Sequence, residues 1–301
     1  IDAGASHVFD ITDSDEITTV VLMSDANDDA IATAVTAGVI DLEADSISTI
    51  RIEANSDDGG VIEVANGLDL STDNTGASMA IETTDSGDDA LIIGVITLDD
   101  DVTTLTVSNA DDDDTGQTVF TEISAAGLTT LTITDGYDLS DQNSQETVID
   151  LDDTEALTSV DASGAFGGVL LDIDDLGNDA TINLAQSDDV EDGANDVLVI
   201  AITAGTDASN LTITDGAGVS NIDMNSGDFD GLTINAGGGI DTIDLTGIRG
   251  DGIVINGEAG GDIITGSGED DTINGGAGDD TLSGGAGSDL LSGGAGLDEF
   301  V

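Results

Sequence analysis

The sequence predicts an all-β chain: a right-handed parallel β-helix, or β-solenoid, that tightens into a narrower roll towards its C-terminal end. Three observations carry this: a short strand motif recurring every 21 to 30 residues, a tandem nine-residue repeat from Gly257 to Val301, and no proline in 301 residues. Proline cannot donate to a β-ladder, so its absence suits strands paired on both sides.

The strand motif sets two apolar residues around one usually polar residue, as in TIRIEAN, TLTVSNA, TLTITDG and GLTINAG. Its first apolar position falls at Val20, Ile50, Met79, Leu105, Leu131, Val160, Ile182, Leu211, Leu232 and Ile253, its second two residues later. Alternation with period two turns these pairs to one face of a strand and sends Arg51, Asn183 and several threonines to the other. Turns rich in Asp, Asn, Ser and Gly follow, such as 24–29, 55–60 and 86–89, and then often a second apolar strand, as at Leu91, Ile93 and Val95. A unit of this kind stacked on its own copies is a parallel solenoid rather than an antiparallel sandwich, because the spacing settles to 21 and then to 18.

Composition narrows the chemistry. The chain holds 65 acidic residues against 2 basic ones, a formal charge of -63, so bound cations or high salt must offset its self-repulsion. The same charge disfavours nucleic acid and anionic membrane surfaces as partners, and no run of ~20 apolar residues is present for insertion into a membrane as a helix. At 38% apolar residues the chain is too rich in Ile, Val and Leu for an acidic disordered tail, and 2% aromatics leave a narrow aliphatic core. Without cysteine, metal ions are the available staple.

From Gly257 the period is nine: GEAGGDIIT, GSGEDDTIN, GGAGDDTLS, GGAGSDLLS, GGAGLDEFV. These residues resemble the repeats-in-toxin (RTX) family, whose pattern is GGxGxDxUx with U a large apolar residue. The resemblance implies a calcium-binding β-roll over 257–301, continuous with an acidic solenoid over 1–256. It places the acidic ligand at Asp262, Asp271, Asp280, Asp289 and Asp298 and the large apolar residue at Ile264, Ile273, Leu282, Leu291 and Phe300. Gly275, Gly278, Gly284, Gly287 and Gly293 are turn glycines of the same sites. Six residues make the turn and three the strand, so two repeats close an 18-residue coil, and oxygens from turns 18 apart suit several Ca²⁺ ions. The expected pairs are Asp262 with Asp280, Asp271 with Asp289 and Asp280 with Asp298. Glu258 and Ala259 depart from the pattern, and Glu269 replaces a turn glycine, which distorts that site or adds a carboxylate to it. Upstream, AGGGIDTID matches with Asp241, while Asp29 and Asp89 sit in degenerate versions that stand equally as sites or as solvated loops.

No nucleophile or phosphate-loop motif is present, His7 is a lone histidine, lysine is absent, and abundant carboxylates make any one pair uninformative, so no enzyme is expected. Outward residues between the apolar pairs are too mixed for an ice-binding array. The resemblance, which in style extends to bacterial surface-layer proteins exported by type I secretion, implies a secreted, cell-surface structural protein. Its expected partners are copies of itself, bridged by calcium between acidic surfaces. The alternatives are an accessory module of a secreted enzyme and an adhesin or biofilm-matrix protein. The chain is expected to be a piece of a longer one.

Overall fold

The computed structural model describes residues 7–10, 19–23, 40–43, 48–54, 61–64, 68–70, 78–85, 90–109, 118–135, 147–164, 169–173, 176–184, 197–202, 208–224 and 227–301. The regular elements among them are all strands, with no helix, and the strands pair in parallel. The acidic turns at 24–29, 55–60 and 86–89, with Asp29 and Asp89, lie outside the described residues, as does the side chain of His7.

Two compact units divide the chain, Ile1–Ala156 and Leu157–Val301. In the first, the chain alternates between two sheets, except that the consecutive strands Val61–Val64 and Leu68–Leu70 both pair with Ala90–Leu98 in the same sheet. One runs His7–Asp10, Ile40–Glu43, Leu68–Leu70, Ala90–Leu98, Thr118–Ser124, Thr147–Asp152, and the other Thr19–Met23, Thr49–Ala54, Ser78–Asp85, Thr104–Asn109, Thr130–Asp135. Each strand therefore pairs with its counterpart one coil later, which is how a parallel solenoid is built. Ile50, Ile81, Leu105 and Leu131 fill the centre of the second sheet and Ile93, Phe120 and Ile149 that of the first, all without solvent exposure. Each such side chain contributes about 1.5–3 kcal/mol of burial.

The pairing departs from the simplest reading of the repeats at three places. Ile50 aligns with Ile81 instead of Met79, which moves the partner strand by two residues. An even shift keeps every side chain on its own face, so the core survives it. It brings Arg51 opposite Glu82, where the guanidinium Nε donates to Oε2 at 2.8 Å. A second two-residue shift aligns Ile182 with Ile213 and leaves Asp215 beside Leu184. Thirdly, the inward phase changes inside Ala90–Leu98: Ile93 is buried, Val95 points out and Ile96 and Leu98 point in. Thr118–Ser124 follows with Phe120 and Ile123, and the extra residue is absorbed against Thr147–Asp152, where Phe120 and Ile123 face Ile149 and Leu151.

In the second unit one sheet runs Val169–Ile173, Val197–Ile202, Val219–Met224, Thr242–Asp244, Ile263–Thr265, Thr281–Ser283, Glu299–Phe300, and the other Ser159–Gly164, Thr181–Leu184, Thr212–Asp215, Thr233–Asn235, Val254–Asn256, Thr272–Ala277, Leu290–Ala295. Ile234 lies over Ile255, Ile273 and Leu291 in one sheet, and Ile243 over Ile264, Leu282 and Phe300 in the other. The change of period from 21 to 18 has a single cause. Strands 233–235 and 242–244 are joined by six residues, 236–241, and strands 242–244 and 254–256 by nine, 245–253; one coil later the second connection is only 266–271. Three residues are lost from one edge of the coil while the other edge keeps its six-residue turns. We call the constant side edge A and the shortened side edge B. The nine-residue turns of edge B carry a two-strand ladder of their own, Gly227–Asp228 with Ile248–Arg249, and bury Phe229 and Leu245 together with Ile248 of that ladder.

Candidate metal sites in the stacked turns

Edge A stacks five six-residue turns: 215–220, 236–241, 257–262, 275–280 and 293–298. Successive turns are tied by parallel main-chain bonds, among them Gly239 N to Ala259 O at 2.8 Å, Gly260 N to Ala277 O at 2.8 Å and Gly278 N to Ala295 O at 2.7 Å. The glycines are there because the backbone needs them. Gly278 has φ +138°, and a Cβ on it would stand 1.6 Å from Gly260 O. Glu258 adopts the same left-handed region at φ +68° without that freedom, so its departure from the repeat pattern is borne as local strain.

The sixth residue of each turn is Asp241, Asp262, Asp280 and Asp298 in four of them, and these aspartates form a ladder. Oδ1 of each accepts the main-chain N–H of the equivalent residue one coil earlier: Ser220 N to Asp241 at 2.8 Å, Asp241 N to Asp262 at 3.0 Å, Asp262 N to Asp280 at 2.9 Å and Asp280 N to Asp298 at 3.3 Å. The other oxygen is the unusual one. Oδ2 of Asp241, Asp262 and Asp280 is buried with no hydrogen-bond partner, and the three residues are at most 1% exposed. An unpaired buried carboxylate oxygen is costly unless a cation meets it. Burial pushes the Asp241 carboxyl up to about 7, against the lowering effect of the Ser220 N–H, with the charges of Asp262 and Asp215 adding to the rise. Burial likewise pushes Asp262 up to about 6, and the charge of Asp280 reinforces it.

The first residue of the turn completes the arrangement. A Cβ on Gly257 would stand 2.5 Å from both Asp262 Oδ2 and Gly275 O. One on Gly275 would stand 2.3 Å from Asp280 Oδ2 and 2.9 Å from Gly293 O. A carboxylate oxygen of one coil and a carbonyl of the next thus converge beside a residue that has no side chain. In turn 236–241 the first residue is Ala236, which carries a methyl group where the later turns have none.

Edge B repeats the plan once. Asp271 N donates to Asp289 Oδ1 at 3.0 Å, and a Cβ on Gly266 would meet Asp271 Oδ2 at 2.5 Å and Gly284 O at 2.7 Å. Gly287 has φ +124° and Gly284 and Gly293 pack against Asp289 and Asp298 as Gly275 does against Asp280. Turn 266–271 is nevertheless built differently. Ser267 stands at the second glycine position, and its N–H and hydroxyl both donate to the Asp271 carboxylate at 2.7 to 3.1 Å. None of residues 267–269 takes a left-handed conformation, whereas Gly276, Gly278, Gly285 and Gly287 do in the neighbouring turns. Glu269 is exposed and turned to solvent, its N–H donating to Ser267 Oγ at 3.2 Å.

Comparison with known proteins bears on what these turns hold. A family model described as the RTX calcium-binding nonapeptide repeat, four copies long, matches at residues 250–282 and again at 265–300. Residues 250–300 carry RTX calcium-binding repeats. No curated protein matches the chain, and no solved structure does. Among the described residues no helix is long and apolar enough to cross a membrane.

The residues of the RTX turns fit calcium on the structure's own terms. Among the described residues no three His, Asp or Glu side chains cluster as a ready-made metal site. An ion here would be held by one carboxylate oxygen, such as Asp262 or Asp280 Oδ2, and by main-chain carbonyls such as Gly275 and Gly293. Hard oxygen ligands in a flexible loop suit Ca²⁺ better than Mg²⁺, which asks for near-ideal octahedral geometry. The sites foreseen from spacing are thus split by the fold. Asp241, Asp262, Asp280 and Asp298 share edge A with Gly275, Gly278 and Gly293, and Asp271 and Asp289 share edge B with Gly284 and Gly287. Spacing missed Ser267 and the pair Asp215 and Ser220; for Ser267 the available signal was a hydroxyl at a position where the repeat has glycine, and for the pair it was an aspartate and a serine at the first and sixth positions of the turn.

Proposed function

We propose that this chain is a secreted structural protein, rigidified by calcium, whose copies assemble into a surface layer, sheath or fibre through calcium bridges between acidic surfaces. The observation that carries the reading is the set of buried, unpartnered Oδ2 atoms of Asp241, Asp262 and Asp280 in a chain of charge -63. A fold with such oxygens is unfavourable until a cation arrives, so calcium binding is coupled to folding. Inside a cell, where free calcium is scarce, the turns repel and the chain stays loose enough for export. Outside, on the order of millimolar calcium fills weak extracellular-type sites and draws folding by mass action. A supporting role is proposed rather than a catalytic one, since the buried carboxylates of Asp241, Asp262 and Asp280 lie within the stack of turns itself.

Electron microscopy of the purified chain tests this directly. Ordered sheets or fibres should form in calcium and disperse in chelator, and mild chelation should disperse them before circular dichroism reports loss of strand. Monodisperse particles in calcium at every concentration would sink the assembly reading, and identical strand content with and without chelator would sink the calcium coupling.

A further inference from the structure

Six-residue turns begin at different coils on the two edges. Among the described residues the first on edge A is 215–220, and on edge B it is 266–271, preceded by 245–253. Both first turns hold a hydroxyl against a buried carboxylate. Ser220, 2% exposed, donates its hydroxyl to Asp215 Oδ2, and Asp215 is 7% exposed. Ser267, also 2% exposed, donates to both oxygens of Asp271, itself 2% exposed. The two pairs are built from different positions. In 215–220 the aspartate is the first residue of the turn and the serine the sixth, whereas in 266–271 the serine is second and the aspartate sixth. The turns that follow on edge A have no such partner, and there Oδ2 of Asp241, Asp262 and Asp280 is orphaned.

We infer that Ser220 with Asp215, and Ser267 with Asp271, are metal-free caps that end the two columns of calcium sites on their upstream side. The inference rests on the calcium reading of the later turns and adds where that binding stops. A calcium column needs a start; on edge B the first carboxylate, Asp271, follows the nine-residue turn 245–253, which is not built on the six-residue plan. A serine hydroxyl supplies there the positive end of a dipole where later turns take a cation, and it does so without requiring metal. The RTX repeat is therefore one site shorter on edge B than its aspartates suggest: Asp271 matches the pattern and is no ligand.

Native mass spectrometry of the whole chain in calcium, with circular dichroism to confirm folding, counts the ions. Asp262→Asn and Asp280→Asn should each lower the count by one, while Asp271→Asn and Asp215→Asn should leave it unchanged. The double variant Ser267→Gly, Glu269→Gly restores the repeat pattern and should raise the count by one, a gain that Asp271→Asn added to it should cancel. A count that falls in Asp271→Asn or Asp215→Asn, or that fails to rise in the double variant, overturns the caps. The double variant decides the matter if the single asparagine variants do not fold. Losses at Asp262, Asp280 and Asp271 together would overturn the caps alone, whereas a wild-type chain that takes up no calcium would overturn the calcium reading and the caps with it.

Discussion

Gly275 and Asp280 are constrained by the same few ångströms. With 2.3 Å between a hypothetical Cβ and Asp280 Oδ2, even alanine must displace the carboxylate or the Gly293 carbonyl. Gly275→Ala should therefore weaken calcium binding measurably in titration calorimetry and cost about 1–3 kcal/mol of stability in calcium, as overpacking does elsewhere. Asp262→Asn separates the two states more sharply. It removes a buried charge whose Oδ2 has no partner in the metal-free fold, so in chelator the variant should be at least as stable as the parent, while its gain from calcium shrinks. Urea midpoints with and without calcium check both halves.

Protons and calcium compete for these oxygens. In the metal-free chain Asp241 and Asp262 titrate at about 7 and about 6, against an ordinary 3.8. The folded state then binds more protons than the unfolded state between those limits, so stability is greatest at acid pH and declines as pH rises towards about 7. Denaturant midpoints in chelator should fall from about pH 5 to about pH 8, and saturating calcium should flatten that slope because the ion replaces the proton. Period nine was enough to read the aspartates and glycines of 257–301 from sequence. It was not enough to separate Asp271 from Asp280, because a serine in a polar turn looks neutral until its φ and its partner are known.

At the scale of strands and turns, the core was legible wherever period two holds, as at Ile213, Ile234 and Ile255. The two register shifts were hidden for a physical reason: moving a strand by two residues leaves the apolar pattern unchanged and alters only which outward residues meet. The phase change at Gly94 was hidden as well, since Val95 is as apolar as Ile96 and only the neighbouring strands decide which faces in. Arg51 was read as outward, and the shift sets Glu82 opposite it. With side chains 40% and 34% exposed, the pair is a surface ion pair, and Arg51→Ala should change stability by only about 0.2–1 kcal/mol. The nine-residue turns are another matter. Phe229 is fully buried inside one of them, and Phe229→Ala should cost about 3–5 kcal/mol, equally with and without calcium. Thermal melts of that variant against Asp262→Asn would separate apolar from ionic support of the stack.

Over the whole chain the balance is one of charge. With 65 acidic residues and 2 basic ones, no internal pairing can neutralise the fold, so cations must do it from outside. Chelation should lower stability strongly, and sodium chloride near 1 M should restore part of the loss by screening, the Debye length there being about 3 Å. Magnesium at equal ionic strength should restore no more than sodium does, because screening is general while the oxygen cradles are particular to the ion. Circular dichroism during such titrations would measure both contributions. The RTX repeats account for the last part of the second unit; the acidity of the first unit was plain from composition, but the turns that carry most of it, including those of Asp29 and Asp89, lie outside the described residues.

The loss of three residues on edge B has a consequence for how such a chain can lengthen. Where one side takes six residues and the other nine, the two halves of a coil are unlike, and material can be added only as complete 21-residue modules. Once both sides take six, the halves become interchangeable, and a single nonapeptide is a sufficient increment. Nine residues inserted after Ser283 would rotate all that follows by half a circuit and set it down on equivalent backbone. The same nine inserted after Asp244 would deliver aspartate turns to a side shaped for Phe229 and its neighbours.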